Sequence, residues 1–127
     1  SNISTLIITG VWVEGLYIAT QVVKEKEIPE ISERIGEQKI VLNDLLLILK
    51  NYKSDPNFAE LISKIEKIKA QYDEITITYE LGEPESVEKD GVLMIVQNET
   101  SHVDISKEQL DKIIAATEEV RNSIISL

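Results

Sequence analysis

The sequence predicts a mostly α fold: an up-and-down four-helix bundle with a β-hairpin inserted between its third and fourth helices. Three observations predict it. Apolar residues recur three and four positions apart over four long stretches, the spacing that lines one side of an α-helix. At Ile75 the period drops to two, which is strand chemistry. The chain has only three prolines and five glycines, and its breaks are short, which favours long helices lying antiparallel to their neighbours. Its 127 residues fit a single domain, 1–127, that buries roughly two-thirds of its unfolded surface. An apolar share of 43% against 28% charged is the composition of a globular domain and not of a disordered one.

The first helix is expected over about 3–26. From Ile3 to Val23 the only charge is Glu14. At 100° per residue, Ile7, Val11 and Ile18 share one face, Leu6, Val13 and Tyr17 another, and Ile8, Trp12 and Ala19 a third. A helix that is apolar all round is surrounded by protein or by lipid. Its length suits a bilayer, but a mid-span Glu, several Thr, a Gln and the missing basic flank argue against one. Lys24-Glu25-Lys26-Glu27 forms a solvated end, and Ile28-Pro29 breaks the pattern.

A second helix is expected over about 29–52, with Pro29 in its first turn. Its stripe is Ile31, Ile35, Leu42, Leu45, Leu49 and Tyr52, with Gln38 as the polar member. Val41, Leu46 and Ile48 widen it. Gly36 costs up to about 1 kcal/mol against Ala inside a helix and marks close helix approach. Asp55 and Pro56 supply the cap and first position of a third helix, about 56–74. Its stripe is Phe58, Leu61, Ile62, Ile65, Ile68 and Tyr72, and Glu60 and Lys64 are spaced to pair.

The hairpin is expected over about 75–98. Ile75, Ile77 and Tyr79 alternate with polar residues, Gly82–Gly91 reads as a polar loop, and Val92–Val96 reads as the returning strand. His102–Ile105 adds a short third extended piece. Ser106 and Gln109 form a capping box, opening a fourth helix over about 107–126 with the stripe Leu110, Ile113, Ile114, Thr117, Val120 and Ile124. Arg121 suits the negative pole of that helix.

Composition narrows the function. A net charge of −10 repels phosphate backbones and anionic headgroups, and no basic stripe offsets it, so nucleic acid is not an expected partner. The absence of cysteine excludes disulfides, thiolate catalysis, Fe–S clusters and cysteine-rich zinc sites. No basic n-region precedes the apolar stretch, so it does not read as a signal peptide.

The candidate ligand-binding set is Trp12, Glu14, Tyr17 and Gln21. A carboxyl among apolar neighbours has its pKa raised, as a general acid requires, and Gly10 and Gly15 open space beside it. The preferred readings of Glu14 are structural: a pair with a cation or hydroxyl on a neighbouring helix, or a place on a groove. Trp12 and Tyr17 suit core packing or a helix interface. His102, the only histidine, falls in a Glu99-x-x-His102 sequence, but a di-iron bundle needs two such motifs on helices and two further carboxylates. Glu80, Glu83, Glu85, Glu88 and Asp90 lack calcium-loop spacing and read as a solvated loop. Asn98-Glu99-Thr100 is formally a glycosylation sequon. No nucleophile elbow, phosphate-binding glycine loop or zinc-protease motif is present. No catalytic residue, metal site or cofactor is therefore expected.

Three stretches resemble one family. Gly10-Val11-Trp12-Val13-Glu14-Gly15-Leu16-Tyr17-Ile18-Ala19-Thr20-Gln21 resembles a G-x-W-[IV]-E-x-L-Y-[IL]-A-T-Q segment. Asp104-Ile105-Ser106-Lys107-Glu108-Gln109-Leu110 with Val120-Arg121-Asn122-Ser123-Ile124 resembles the tail of the same group, and Asn43 to Tyr72 fits its helix-loop-helix. The group is a set of uncharacterised lipoproteins of Bacteroidetes-type bacteria. The resemblance implies that the chain corresponds to a C-terminal half, held at the periplasmic or outer-membrane surface by an anchor outside this sequence. It also implies that a missing N-terminal half packs on the first helix. It assigns no residue a role.

The expected function is accordingly a non-enzymatic binding or structural module of an envelope lipoprotein. Its expected partner is another protein, the missing half or a second copy in a homodimer. The alternative is an extracytoplasmic ligand-sensing four-helix domain. A third class, a carboxylate-based enzyme, requires Glu14→Gln to abolish an activity without unfolding the chain.

Overall fold

The computed structural model describes residues 1–125, except for the side chains of 97–99 and 125. The element order is α1 (Asn2–Glu25), α2 (Pro29–Leu49) with a closing 3₁₀ turn (Lys50–Tyr52), α3 (Pro56–Tyr72), β1 (Thr76–Lys89), β2 (Val92–Asp104) and α4 (Lys107–Ile125). Each helix start has a local cause. Ser1 accepts from the Ser4 amide. Pro29 takes the first turn of α2, whose cap residue Ile28 offers no side-chain bond. Asp55 accepts from the Asn57 amide at 2.9 Å. Ser106 and Gln109 exchange two bonds, of 2.8 and 3.1 Å, which is the capping box the sequence predicts. The last residue of the expected fourth helix, 126, lies outside the described residues.

The four helices form a ring in which α1 touches α2 and α4, and α3 touches α2 and α4. Partners across each seam run in opposite directions. On α1, Trp12 meets Gln38 of α2, whereas Val22 shares a groove with Ile31. On the other side Glu14 meets Arg121 of α4 and Lys24 meets Glu118. The core is built by the predicted stripes of three helices: Ile35, Leu42, Leu45 and Leu49 of α2, Phe58, Ile62, Ile65, Ile68 and Tyr72 of α3, and Leu110, Ile113, Ile114 and Val120 of α4. Val41 and Ile48, which widen the α2 stripe on paper, are exposed.

Helix α1 resolves its ambiguity in an unexpected way. Its inner face is Thr5, Thr9, Val13, Leu16, Thr20 and Val23. Three of these are threonines, and each hydroxyl donates to a carbonyl of its own helix, so burial orphans no donor. The apolar residues Ile3, Ile7, Val11, Ile18 and Val22 face outward.

Antiparallel β-structure does lie between α3 and α4. It is not the simple hairpin expected over 75–98. The strands are 14 and 13 residues long, and their register shifts between Leu81 and Pro84. There two residues of β1 oppose one of β2, a bulge that accommodates a proline lacking an N–H. The segment Gly82–Gly91, read from sequence as a loop, is strand as far as Lys89, and only Asp90 and Gly91 turn, with φ of 54° and 76°. Two consecutive positive φ values make the tight turn that Asp-Gly favours. Of the expected third piece at His102–Ile105, His102–Asp104 is the end of β2, paired with Thr76–Thr78, and Ile105 lies beyond the strand. Strand alternation was hidden beyond Leu81 because neither face of that part is buried.

The base of the ribbon is anchored to α2. Ile75 and Val103 are buried, and Lys39 of α2 donates to the carbonyls of Ile75 (2.8 Å) and Asp73 (3.3 Å). The outer ribbon is exposed, with Leu93 and Ile95 over 70% accessible. Replacing Glu85–Val96 by Asn-Gly is therefore expected to leave the bundle's stability within about 0.5 kcal/mol. A urea titration followed by helical ellipticity checks this, and a loss of several kcal/mol would show that the outer ribbon supports the core.

Candidate functional site: the outer face and seams of α1

Three of the four candidate residues share the α1/α4 seam. Glu14, Tyr17, Gln21 and, one step further, Lys24 lie three and four residues apart on α1, so they form one ladder. Arg121 of α4 bonds both oxygens of Glu14, Nε to Oε2 at 3.2 Å and Nη2 to Oε1 at 3.4 Å. The same guanidinium stands 4.3 Å from the centroid of the Tyr17 ring, a cation–π contact. One turn on, Glu118 Oε1 accepts from Gln21 (3.0 Å) and Lys24 (2.8 Å).

The bonds from Lys24 and then Gln21 hold the Glu118 carboxyl below its ordinary value of 4.5, and the bond to Glu118 holds Lys24 above 10.5. A depressed carboxyl loses its contribution as pH falls through its folded pKa, and a raised lysine loses its contribution as pH rises through its own, so this rung weakens in acid and again in strong alkali. The seam is thus a polar zipper fixing α1 against α4. Both oxygens of Glu14 are occupied by an arginine, which is the arrangement of an ion pair rather than of an acid aimed at substrate.

Trp12 lies elsewhere, on the α1/α2 seam. Its indole Nε1 donates to Gln38 Oε1 at 3.0 Å. It borders an open groove of about 430 Å³, lined also by Gly15, Val22, Ile31 and Arg34. A second groove of about 450 Å³ flanks α1 on its other side, at Leu6, Gly10, Leu61, Lys64 and Ile124. An added Cβ at Gly10 or Gly15 would meet nothing within 4 Å. Both glycines therefore face open space. Between the grooves stands the ridge of Ile7, Val11 and Ile18.

His102 is exposed on β2, with Nδ1 3.7 Å from Glu33. The Glu99 side chain of the Glu-x-x-His sequence, like that of Asn98, lies outside the described residues. Among the described residues no three His, Asp or Glu side chains converge on a point that would hold a metal ion. The acidic residues Glu80, Glu83, Glu85, Glu88 and Asp90 are spread along the exposed ribbon.

Sequence reasoning missed the partners: Arg121 was read only as a helix-end cation, Gln38 only as the polar member of the α2 stripe, and Glu118 was not singled out. A signal was present. A lone Glu in an apolar helix calls for a strong cation, and the chain has only two arginines, Arg34 and Arg121. No family model matches the chain, and no curated protein or solved structure is significantly similar to it.

Proposed function

We propose that this chain is a non-enzymatic binding or structural module whose working surface is the outer face of α1. One observation carries the reading: Ile3, Leu6, Ile7, Ile8, Val11, Ile18 and Val22 are all exposed on one helix. Single exposed apolar side chains are ordinary, but a contiguous patch of this size marks an interaction site. The ionisable residues of α1 that would serve catalysis are instead engaged with α4. The setting proposed is the bacterial envelope, as part of a lipoprotein anchored outside this sequence, in line with the resemblance of Gly10–Gln21 and the α4 segments.

Hydroxyl-radical footprinting tests the reading. In cells that make the protein, Ile7, Val11 and Ile18 are expected to be protected, and in the dilute purified chain to be labelled. Equal labelling in both would end it.

A second reading, the ligand-sensing domain, is favoured by the α1/α2 groove. Its roughly 430 Å³ falls in the size range of small-molecule sites, and Arg34 and Gln38 provide polar groups on an apolar wall. Trp12 is the only tryptophan and lies on that wall, so its emission reports an occupant directly.

A further inference from the structure

We infer that the occupant of the α1 face is a second copy of this chain, docked about a two-fold axis with each α1 ridge lying in the groove beside the other copy's Gly15. This rests on the proposed role of the α1 face and names its partner.

Area is the first support. Seven exposed side chains present roughly 100 Å² each, on the order of 700 Å² in all, against the ~800 Å² per partner of a standard interface. Val11, at 69% accessible, stands highest, and Ile18, a turn and more further on, is 56% accessible. The largest apolar patch on an ordinary monomer is about 300–600 Å².

Shape is the second support. A two-fold interface requires one surface to complement itself. Here the ridge of Ile7, Val11 and Ile18 runs directly beside the groove opened by Gly15 and walled by Trp12, Val22 and Ile31. Turning one copy over and laying it on another sets ridge into groove twice, which is how helices pack.

Charge is the third support, and it separates a second copy from a lipid surface. The chain carries −10, yet α1 contributes one carboxylate to this face, Glu14, which Arg121 neutralises, and the α2 wall of the groove adds one cation, Arg34. Helices that lie in a bilayer interface carry a lysine- and arginine-rich polar flank. This helix has no such flank: Lys24 at its end is tied to Glu118, and Glu25 and Glu27 follow. Two copies at −10 each repel over long range while their contact is apolar, so added salt strengthens the association.

Sedimentation equilibrium of the chain across concentration and salt is the test, with three variants beside the wild type. The wild type is expected to dimerise, more tightly in high salt. Val11→Glu/Ile18→Glu is expected to weaken dimerisation by roughly 100-fold or more, because each carboxylate would be buried without a partner. Gly15→Leu, whose Cβ would meet nothing within 4 Å, projects into the groove and is expected to give a folded monomer, so the inference stays testable if the double variant fails to fold. Replacement of Glu85–Val96 by Asn-Gly is expected to leave the dimer intact. A wild type monomeric at all concentrations overturns the inference. So does a dimer lost only on ribbon replacement, or flotation of the wild type but not Val11→Glu/Ile18→Glu with neutral phosphatidylcholine vesicles. Protection of Ile7, Val11 and Ile18 in cells despite a monomeric purified chain would leave the docking face standing with a different protein on it, so the two failures are distinguishable.

Discussion

Replacing Tyr72 with Ala is expected to cost about 3–5 kcal/mol of unfolding free energy, the range for deleting a buried aromatic ring. Tyr72 closes α3, is fully buried, and its hydroxyl donates to the Ile35 carbonyl of α2 at 2.8 Å. It therefore ties the end of α3 to the middle of α2 next to the place where β2 crosses. Tyr72→Phe keeps the ring and loses only the hydrogen bond, at about 1 kcal/mol.

The same residue sets an alkaline limit. Burial pushes the Tyr72 phenol above its ordinary value of 10. Below pH 10 both folded and unfolded chains hold the proton, and the raised pKa has no effect on stability. Above it the unfolded chain releases the proton first, so stability falls by up to ~1.4 kcal/mol per pH unit. Urea titrations from neutral to alkaline pH should show a steeper loss for the wild type than for Tyr72→Phe. Parallel curves would mean that the phenol ionises in place.

Gly36→Ala is expected to destabilise the protein despite improving a helix. In a free helix the change gains up to about 1 kcal/mol. Here an added Cβ overlaps the Val103 Cγ1 atom of β2. Val103 is buried, its branched side chain is restricted at χ1, and the added Cβ also lies close to its Cβ, so relief requires moving the strand. Overpacking of this kind typically costs ~1–3 kcal/mol, which outweighs the helical gain. Pairing it with Val103→Ala vacates the clashing methyls. The double variant should then be more stable than the two single losses combined predict, by ~1–2 kcal/mol in a double-mutant cycle. Additive losses would show that Gly36 is not held small by the strand.

Gly36 also shows how a correct signal acquires its partner. A glycine in the middle of a helical stripe announces close approach, but the sequence pointed to a helix, whereas the neighbour is a strand more than 60 positions away. The ribbon followed the same pattern. Asp90-Gly91 is a two-residue turn signal in plain view, yet the flanking residues Glu83–Lys89 carry no alternation because both their faces are wet. Periodicity reports burial, so Glu83–Lys89, wet on both faces, carries none, whereas the apolar run Val92–Val96 reads as strand although it too is exposed.

Local rules were sufficient for α2, α3 and α4. Their stripes, the Asp55 and Ser106 caps and the Glu60–Lys64 pair, at 3.6 Å, follow from spacing and short-range hydrogen bonding alone. For α1 the sequence determined only that a long apolar helix exists with one carboxylate inside it. Which side turns inward was decided by the tertiary structure. The face of threonines with Val13, Leu16 and Val23 packs against the other helices, each threonine hydroxyl satisfied by its own helix. The isoleucines, with Val11 and Val22, stand outside, and Glu14 falls opposite Arg121, 107 residues away. Hydrophobicity is non-directional, so an all-apolar helix has no preferred side until the shapes of its neighbours select one.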